Sequence, residues 1–277
     1  MEKYWIWFKL LNIDLKKKLK ILDYYKNIYD IYNIKKEKLI DIFELNKKEI
    51  NIWYSNTYMK KAEEINKINK LKGINILTIL DKDYPVLLKK ISYPPILIYY
   101  LGNKEILNKN CITIFQGLHI DKSGIKLLKY LSKGLLENNI KIVSRFNKND
   151  KYIYMNNIAN EDNIVVLAGG FNDKIFLKNG IILTENEYNV KSTKENIIKR
   201  NRILTGISSN VILIQATIDD GVGYIVDNAI EQGKEITVFP SDIFNIKNTY
   251  TNELIKQGVN VITDYNELLV YEQNINM

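Results

Sequence analysis

The feature that most constrains this chain is a series of short apolar runs spread over its last two hundred or so positions. Nine of them read as strands: Ile76–Ile79, Ile96–Leu101, Ile112–Phe115, Ile140–Val143, Ile164–Leu167, Ile181–Leu183, Val211–Ile214, Ile236–Phe239 and Val259–Ile262. Each is too short for a buried helix and rich in β-branched residues, which fit a pleated surface. Helical patterns fill several of the gaps. Ile125–Leu136 is apolar at 127, 128, 131 and 135, and Tyr224–Gln232 and Thr251–Lys256 fill two more. Strands that alternate with helices predict βαβ units, hence an α/β fold with a mostly parallel sheet covered on both faces.

Residues 1–72 have a different texture. Lysine-rich stretches are broken by apolar residues three and four apart, as in Leu15, Leu19 and Leu22 or Leu39, Ile42 and Phe43. This spacing predicts short helices, with Trp5, Trp7 and Trp53 anchoring a small core. Gly73 is the expected boundary between a helical N-terminal domain, 1–72, and an α/β domain, 73–277.

Composition excludes several kinds of chemistry. The single cysteine, Cys111, rules out an intramolecular disulfide and a cysteine metal cluster. The single histidine, His119, argues against a histidine-based triad or zinc site. A net charge of +8 favours a polyanionic partner. The N-terminal stretch places its apolar residues before its lysines, unlike a signal peptide, and the run Ile96–Leu101 is far too short to span a bilayer. A cytoplasmic protein without a membrane partner is expected.

In parallel sheets ligands bind beyond the carboxyl ends of the strands, so the residues to inspect follow Phe115, Val143, Leu167, Gln215 and Phe239. Near them lies KRNRILTGIS, which sets Lys199, Arg200 and Arg202 within four positions. Two helix starts compete here. Ser192 with Glu195 is a capping-box pattern that begins the helix at Thr193, pairs Lys199 with Glu195, and puts Arg200 in the apolar arc with Ile197, Ile203, Leu204 and Ile207. The other start keeps Lys191–Ile198 extended and opens the helix near Arg200.

Taken in order, these strand ends resemble the DNA-processing protein A family, DprA or Smf. The lead-in DKDYPVLLKKISYPPILIYYLGN (Asp81–Asn103), the stretch KRNRILTGISSNVILIQA (Lys199–Ala216), DDGVGYIVDNAIEQGKEITVFPS (Asp219–Ser241) and NELIKQGVNVI (Asn252–Ile262) are similar to its motifs and keep their order. The resemblance implies an extended Rossmann-like domain, with a SAM- or helix-hairpin-helix-like N-terminal domain supplied by residues 1–72. It implies a homodimer that binds single-stranded DNA and hands it to the recombinase RecA during natural transformation, with no catalytic residues and no cofactor. It also favours the helix start near Arg200, where Arg200 and Arg202 would flank free backbone N–H groups that bind a phosphate.

The chain departs from the family pattern in ways that matter. The Gly-Ser-Arg turn after the strand ending at Phe115 reads Gln116, Gly117, Leu118, so its arginine is missing. The Ser-Gly-Leu-Ala-x-Gly loop reads SRFNKNDK: Ser144 stays, but Arg145 and Asn149 replace the glycines and Lys148 and Lys151 are gained. Gly169 and Gly170 survive at the next strand end, and the helix after them shortens to Asp173–Asn179. Gln215 replaces a glutamate, and Asp219 and Asp220 precede Gly221 where an aspartate N-cap is expected. The nucleic-acid-binding residues expected from this reading are Lys199, Arg200, Asn201, Arg202, Gly117, Ser144, Arg145, Lys148, Gly169, Gly170 and Gly221. Exposed tyrosines would stack bases. Two alternatives stand beside it: a structural relative that acts through protein contacts, and a nucleotide-processing enzyme of the same fold.

Overall fold

A computed structural model describes residues 1–146, 163–173 and 179–269. The chain divides into two compact units, residues 1–82 with 95–99, and 83–94 with 100–277.

The first unit opens with six helices: α1 (Glu2–Leu10), α2 (Leu15–Tyr24), α3 (Ile28–Tyr32), α4 (Lys36–Asp41), α5 (Lys47–Trp53) and α6 (Asn56–Lys72). Capping side chains explain the starts of three. Asp14 and Asn27 accept from Lys16 and Tyr29, and Asn46 with Glu49 forms a reciprocal capping box. Trp7 and Trp53 pack edge to face at 5.2 Å in a buried aromatic core. Gly73 ends α6 in the left-handed region (φ 65°), and Ile74 N–H bonds back to Asn69 O at 2.9 Å, a Schellman closure that turns the chain into β1 (Asn75–Thr78).

Among the described residues, nine strands form one sheet in the order β1-β2-β6-β5-β4-β3-β7-β8-β9. Those after β1 are β2 (Leu97–Gly102), β3 (Cys111–Gln116), β4 (Lys141–Arg145), β5 (Ile164–Val166), β6 (Ile181–Thr184), β7 (Asn210–Ile214), β8 (Glu235–Val238) and β9 (Asn260–Val261). Among the described residues, β3 pairs in parallel with β4 and β7, β5 with β4 and β6, and β8 with β7 and β9. The strands are continuous apolar runs because helices cover both faces. After the short α7 (Val86–Lys89), α8 (Lys122–Glu137) covers one face. Its Leu128, Leu131 and Leu135 pack on Ile112, Ile114, Ile142, Ile212 and Ile214. The other face meets α9 (Lys194–Ile207), where Thr113 Oγ1 donates to Leu204 O at 2.7 Å. Helices α10 (Gly223–Glu231) and α11 (Thr249–Lys256) also belong to the second unit.

The chain builds β4, β5 and β6 to one side of β3, then crosses back to add β7, β8 and β9 on the other. The strand order therefore reverses between β3 and β7, the point at which open α/β sheets bind ligands beyond the carboxyl ends of their strands. All nine expected strands are present.

Candidate nucleic-acid interface

Helix α9 does not open near Arg200. Thr193 is its N-cap, accepting from Asn196 N–H at 3.2 Å, and Lys194 is the first helical residue. The expected extended segment Lys191–Ile198 is therefore corrected, and Thr193 caps where Ser192 was expected. Glu195 in the first turn suits the positive end of the helix dipole. Arg200 and Arg202 lie in the second and third turns, where backbone N–H groups are already bonded within the helix, so no leading-end anion socket exists beside them.

The three crowded cations escape mutual repulsion by pointing apart, as 100° per residue dictates. Lys199 reaches Glu195 at 2.6 Å on the exposed side. Arg202 forms a fork with Glu185, Nη1 to Oε2 and Nη2 to Oε1 at 2.6 Å each, and donates further to Tyr93 O and Lys199 O. Burial opposes the charge of Arg202, but Glu185 outweighs burial and holds its pKa above the ordinary value. Burial, then Glu185, pushes the neighbouring Tyr84 hydroxyl well up. Arg202 is thus a fastener joining the end of β6 and the 83–94 segment to α9.

Arg200 is turned inward and is 5% exposed. It donates to Asn201 Oδ1 at 3.0 Å and to Val166 O at 3.4 Å. Of the apolar arc expected with it, Ile203, Leu204 and Ile207 are buried, but Ile197 is exposed. Val166 is the register partner of Arg145 at the end of β4. Arg145 is 7% exposed, stacks 4.1 Å from the Phe115 ring centroid and donates to Gln116 O at 2.8 Å. Two buried guanidinium groups therefore lie near the carboxyl ends of the strands, Arg145 on the β3 side and Arg200 against β5, and Lys191, Lys194 and Lys199 are exposed at the start of α9. Ser144 alternates with Arg145, so it points to the opposite, α8 face; it is fully buried, and its Oγ has no hydrogen-bond partner among the described residues. Lys148 and Lys151 lie outside the described residues, as does most of Asp173–Asn179.

The surviving glycines answer to the chain's own packing. A Cβ on Gly117 would strike Gln215 O and Asp220 Oδ2, one on Gly169 would crowd Val190 O, and one on Gly170 would meet Glu187 O. Gly221 is needed for its left-handed φ of 68°, with open space around it. At α8 the anion position is occupied from within. Asp121 Oδ1 accepts from Ser123 N–H and Oγ, Gly124 N–H and Gln215 Nε2, and its Oδ2 accepts from Asn245 Nδ2. These bonds, that of Ser123 foremost, hold the Asp121 carboxyl far below the usual carboxylate range. Asp220 does not cap α10 as expected. It turns back to Thr217 N–H at 2.9 Å in a short 3-10 turn, and α10 begins after it. Among the described residues, no group of three or more His, Cys, Asp or Glu could hold a metal ion, and no helix is long and apolar enough to cross a membrane.

Residues 75–273 match the family model described as DNA recombination-mediator protein A. The chain belongs to this family. The DNA processing protein DprA of Bacillus subtilis is 30% identical over 204 residues, covering 69% of each chain. The solved structure of DNA processing protein A from Streptococcus pneumoniae superposes with a TM-score of 0.79 at 22% identity and covers 98% of each chain. That of Helicobacter pylori DNA processing protein A, described by its single-stranded DNA binding mode, superposes with a TM-score of 0.63 at 21% identity, over 73% of this chain and 96% of that one.

Two parts of the site have partners that the sequence does not announce. Asp121 caps α8 four positions before Ile125, where the helical pattern begins, while the aspartate cap was expected at Asp219–Asp220. Glu185 pairs with Arg202 across seventeen positions of chain, and no local pattern marks that pair.

Proposed function

We propose that this protein binds single-stranded DNA along the basic half of its sheet's carboxyl edge, as a non-enzymatic recombination mediator. The observation that carries the reading is the group of exposed cations Lys191, Lys194 and Lys199 at the start of α9, next to the carboxyl ends of β4 and β5. The name of the Helicobacter pylori relative supports the same partner. Phosphates of the strand meet these cations, and affinity falls with salt by about 0.7 in log K per neutralised phosphate per decade.

The nucleotide-processing alternative loses support from Asp121 and Asp220, which put carboxylates where a nucleotide phosphate would sit. The closed Arg202–Glu185 fork favours the other alternative, a relative working only through protein contacts. Anisotropy of labelled oligo-dT at low salt separates the two: binding supports the mediator, and folded protein that binds nothing leaves only the protein-contact reading. Loading of RecA during natural transformation, a homodimer and a cytoplasmic site extend the proposal. RecA filament growth on coated single strands and sedimentation velocity test the first two.

A further inference from the structure

The carboxyl ends of β7 and β8 carry a surface that the DNA reading leaves unused. In the turn after β8, Ile243 is 76% exposed, Phe244 87% and Ile246 76%, and Ile218 after β7 is 74% exposed. Grouped exposed apolar side chains mark interaction sites. This turn is also preset in shape. Phe244 N–H donates to Asp242 Oδ1 at 2.9 Å, Asn245 Nδ2 to Asp121 Oδ2 at 2.6 Å, Lys247 N–H to Asn245 Oδ1 at 3.1 Å, and Asn248 Nδ2 to Asp242 O at 3.2 Å. A tip held this way has little freedom left to lose when a partner arrives.

Beside the tip lies a cleft of about 480 Å³ lined by Gln215, Phe239, Ser241, Asp242 and Asn248 among others. Asn248 is 3% exposed, and its Oδ1 has no hydrogen-bond partner among the described residues. The surrounding turns, 117–123, 217–223 and 240–248, carry Asp121, Asp219, Asp220 and Asp242 against Lys122 and Lys247, four acids minus two bases, a net of −2. Such a field repels phosphate and attracts cations. Apolar anchors set among acceptors and negative charge are complementary to one kind of occupant.

We propose that the 243–246 tip and its adjoining cleft dock a protein segment that sets an apolar side chain next to an arginine or lysine. The apolar side chain packs on Phe244 and Ile246, and the cation faces the acceptors at Asp242 and Asn248. This goes beyond the DNA reading and uses the other half of the edge, so either can fail alone.

The test is selection from a random peptide library displayed on phage, against the full chain, with Phe244→Ser/Ile246→Ser and Asp242→Lys as separate counter-targets. The expected result is enrichment of peptides with Arg or Lys beside Leu, Ile or Phe, each binding both variants at least about tenfold more weakly, the loss typical of an interface anchor. These substitutions are on exposed side chains, and circular dichroism checks their fold. Oligo-dT affinity and the sedimentation coefficient are expected to stay unchanged in both. No enrichment, acidic or neutral winners, or equal binding to the variants overturns the proposal. Loss of oligo-dT binding in the Phe244→Ser/Ile246→Ser protein would make the tip a base-stacking element, and loss of self-association would make it a contact between copies; each also overturns it.

Discussion

The two halves of the sheet's carboxyl edge were built from the same strand-and-helix unit and ended up with opposite character. On the β4–β5 side, Arg145 and Arg200 are drawn in against backbone carbonyls, with lysines outside them. On the β7–β8 side, Asp121 and Asp220 satisfy backbone N–H groups from within, and Phe244 stands in solvent. What differs is which charge the chain supplies for itself. An edge that brings its own carboxylates has no need of a phosphate; one that sets lysines in solvent attracts one. The comparison also separates arginines that look alike in sequence: Arg202 pairs with Glu185, whereas Arg200 is buried and donates to Asn201 Oδ1 and Val166 O.

The largest effect is expected at that fork. Glu185→Ala leaves Arg202 mostly buried without its carboxylate and should cost about 2–4 kcal/mol of stability in chemical denaturation. A cost near zero would mean that Arg202 is available as a DNA contact after all. Next comes Asp121→Ala, which strips a cap shared by several donors and should cost about 2 kcal/mol. The pH dependence has a definite sign. Because the folded state depresses the Asp121 pKa, its contribution is complete above the ordinary carboxylate value of 3.8 and is lost as pH falls below it. Acid melting curves of Asp121→Asn should be flatter than wild type below about pH 4, and curves that run parallel would contradict the assignment. The smallest effect is on the surface. Lys194→Glu with Lys199→Glu should weaken oligo-dT binding about tenfold and flatten the salt slope by roughly 1.4, two phosphates' worth, with melting almost unchanged. An unchanged slope would move the DNA off this half.

Much of the fold was legible in the sequence, and for a physical reason. Strands buried on both faces are unbroken apolar runs, and Ile112–Phe115 or Val211–Ile214 cannot be much else. The site was less legible because its decisive partners are distant in sequence. Nothing near Arg202 announces Glu185, and nothing near Gly124 announces Gln215. The start of α9 was legible in the capping pattern around Ser192 and Thr193, but the family likeness pulled the expectation toward Arg200. Local capping chemistry decided the outcome: Thr193 had an N–H to accept, and an extended Lys191–Ile198 would have left Glu195 without Lys199.

The most direct test of the account is an oligo-dT anisotropy titration over a series of salt concentrations, on wild type, Arg145→Gln/Arg200→Gln, and the exposed Lys194→Glu/Lys199→Glu pair, which stays decisive if the buried pair disturbs folding. Binding confined to the basic half gives a salt-dependent wild-type affinity and a loss of at least about tenfold in each folded variant. A folded wild type that ignores oligo-dT at low salt, or variants that bind it as tightly as wild type, would contradict it.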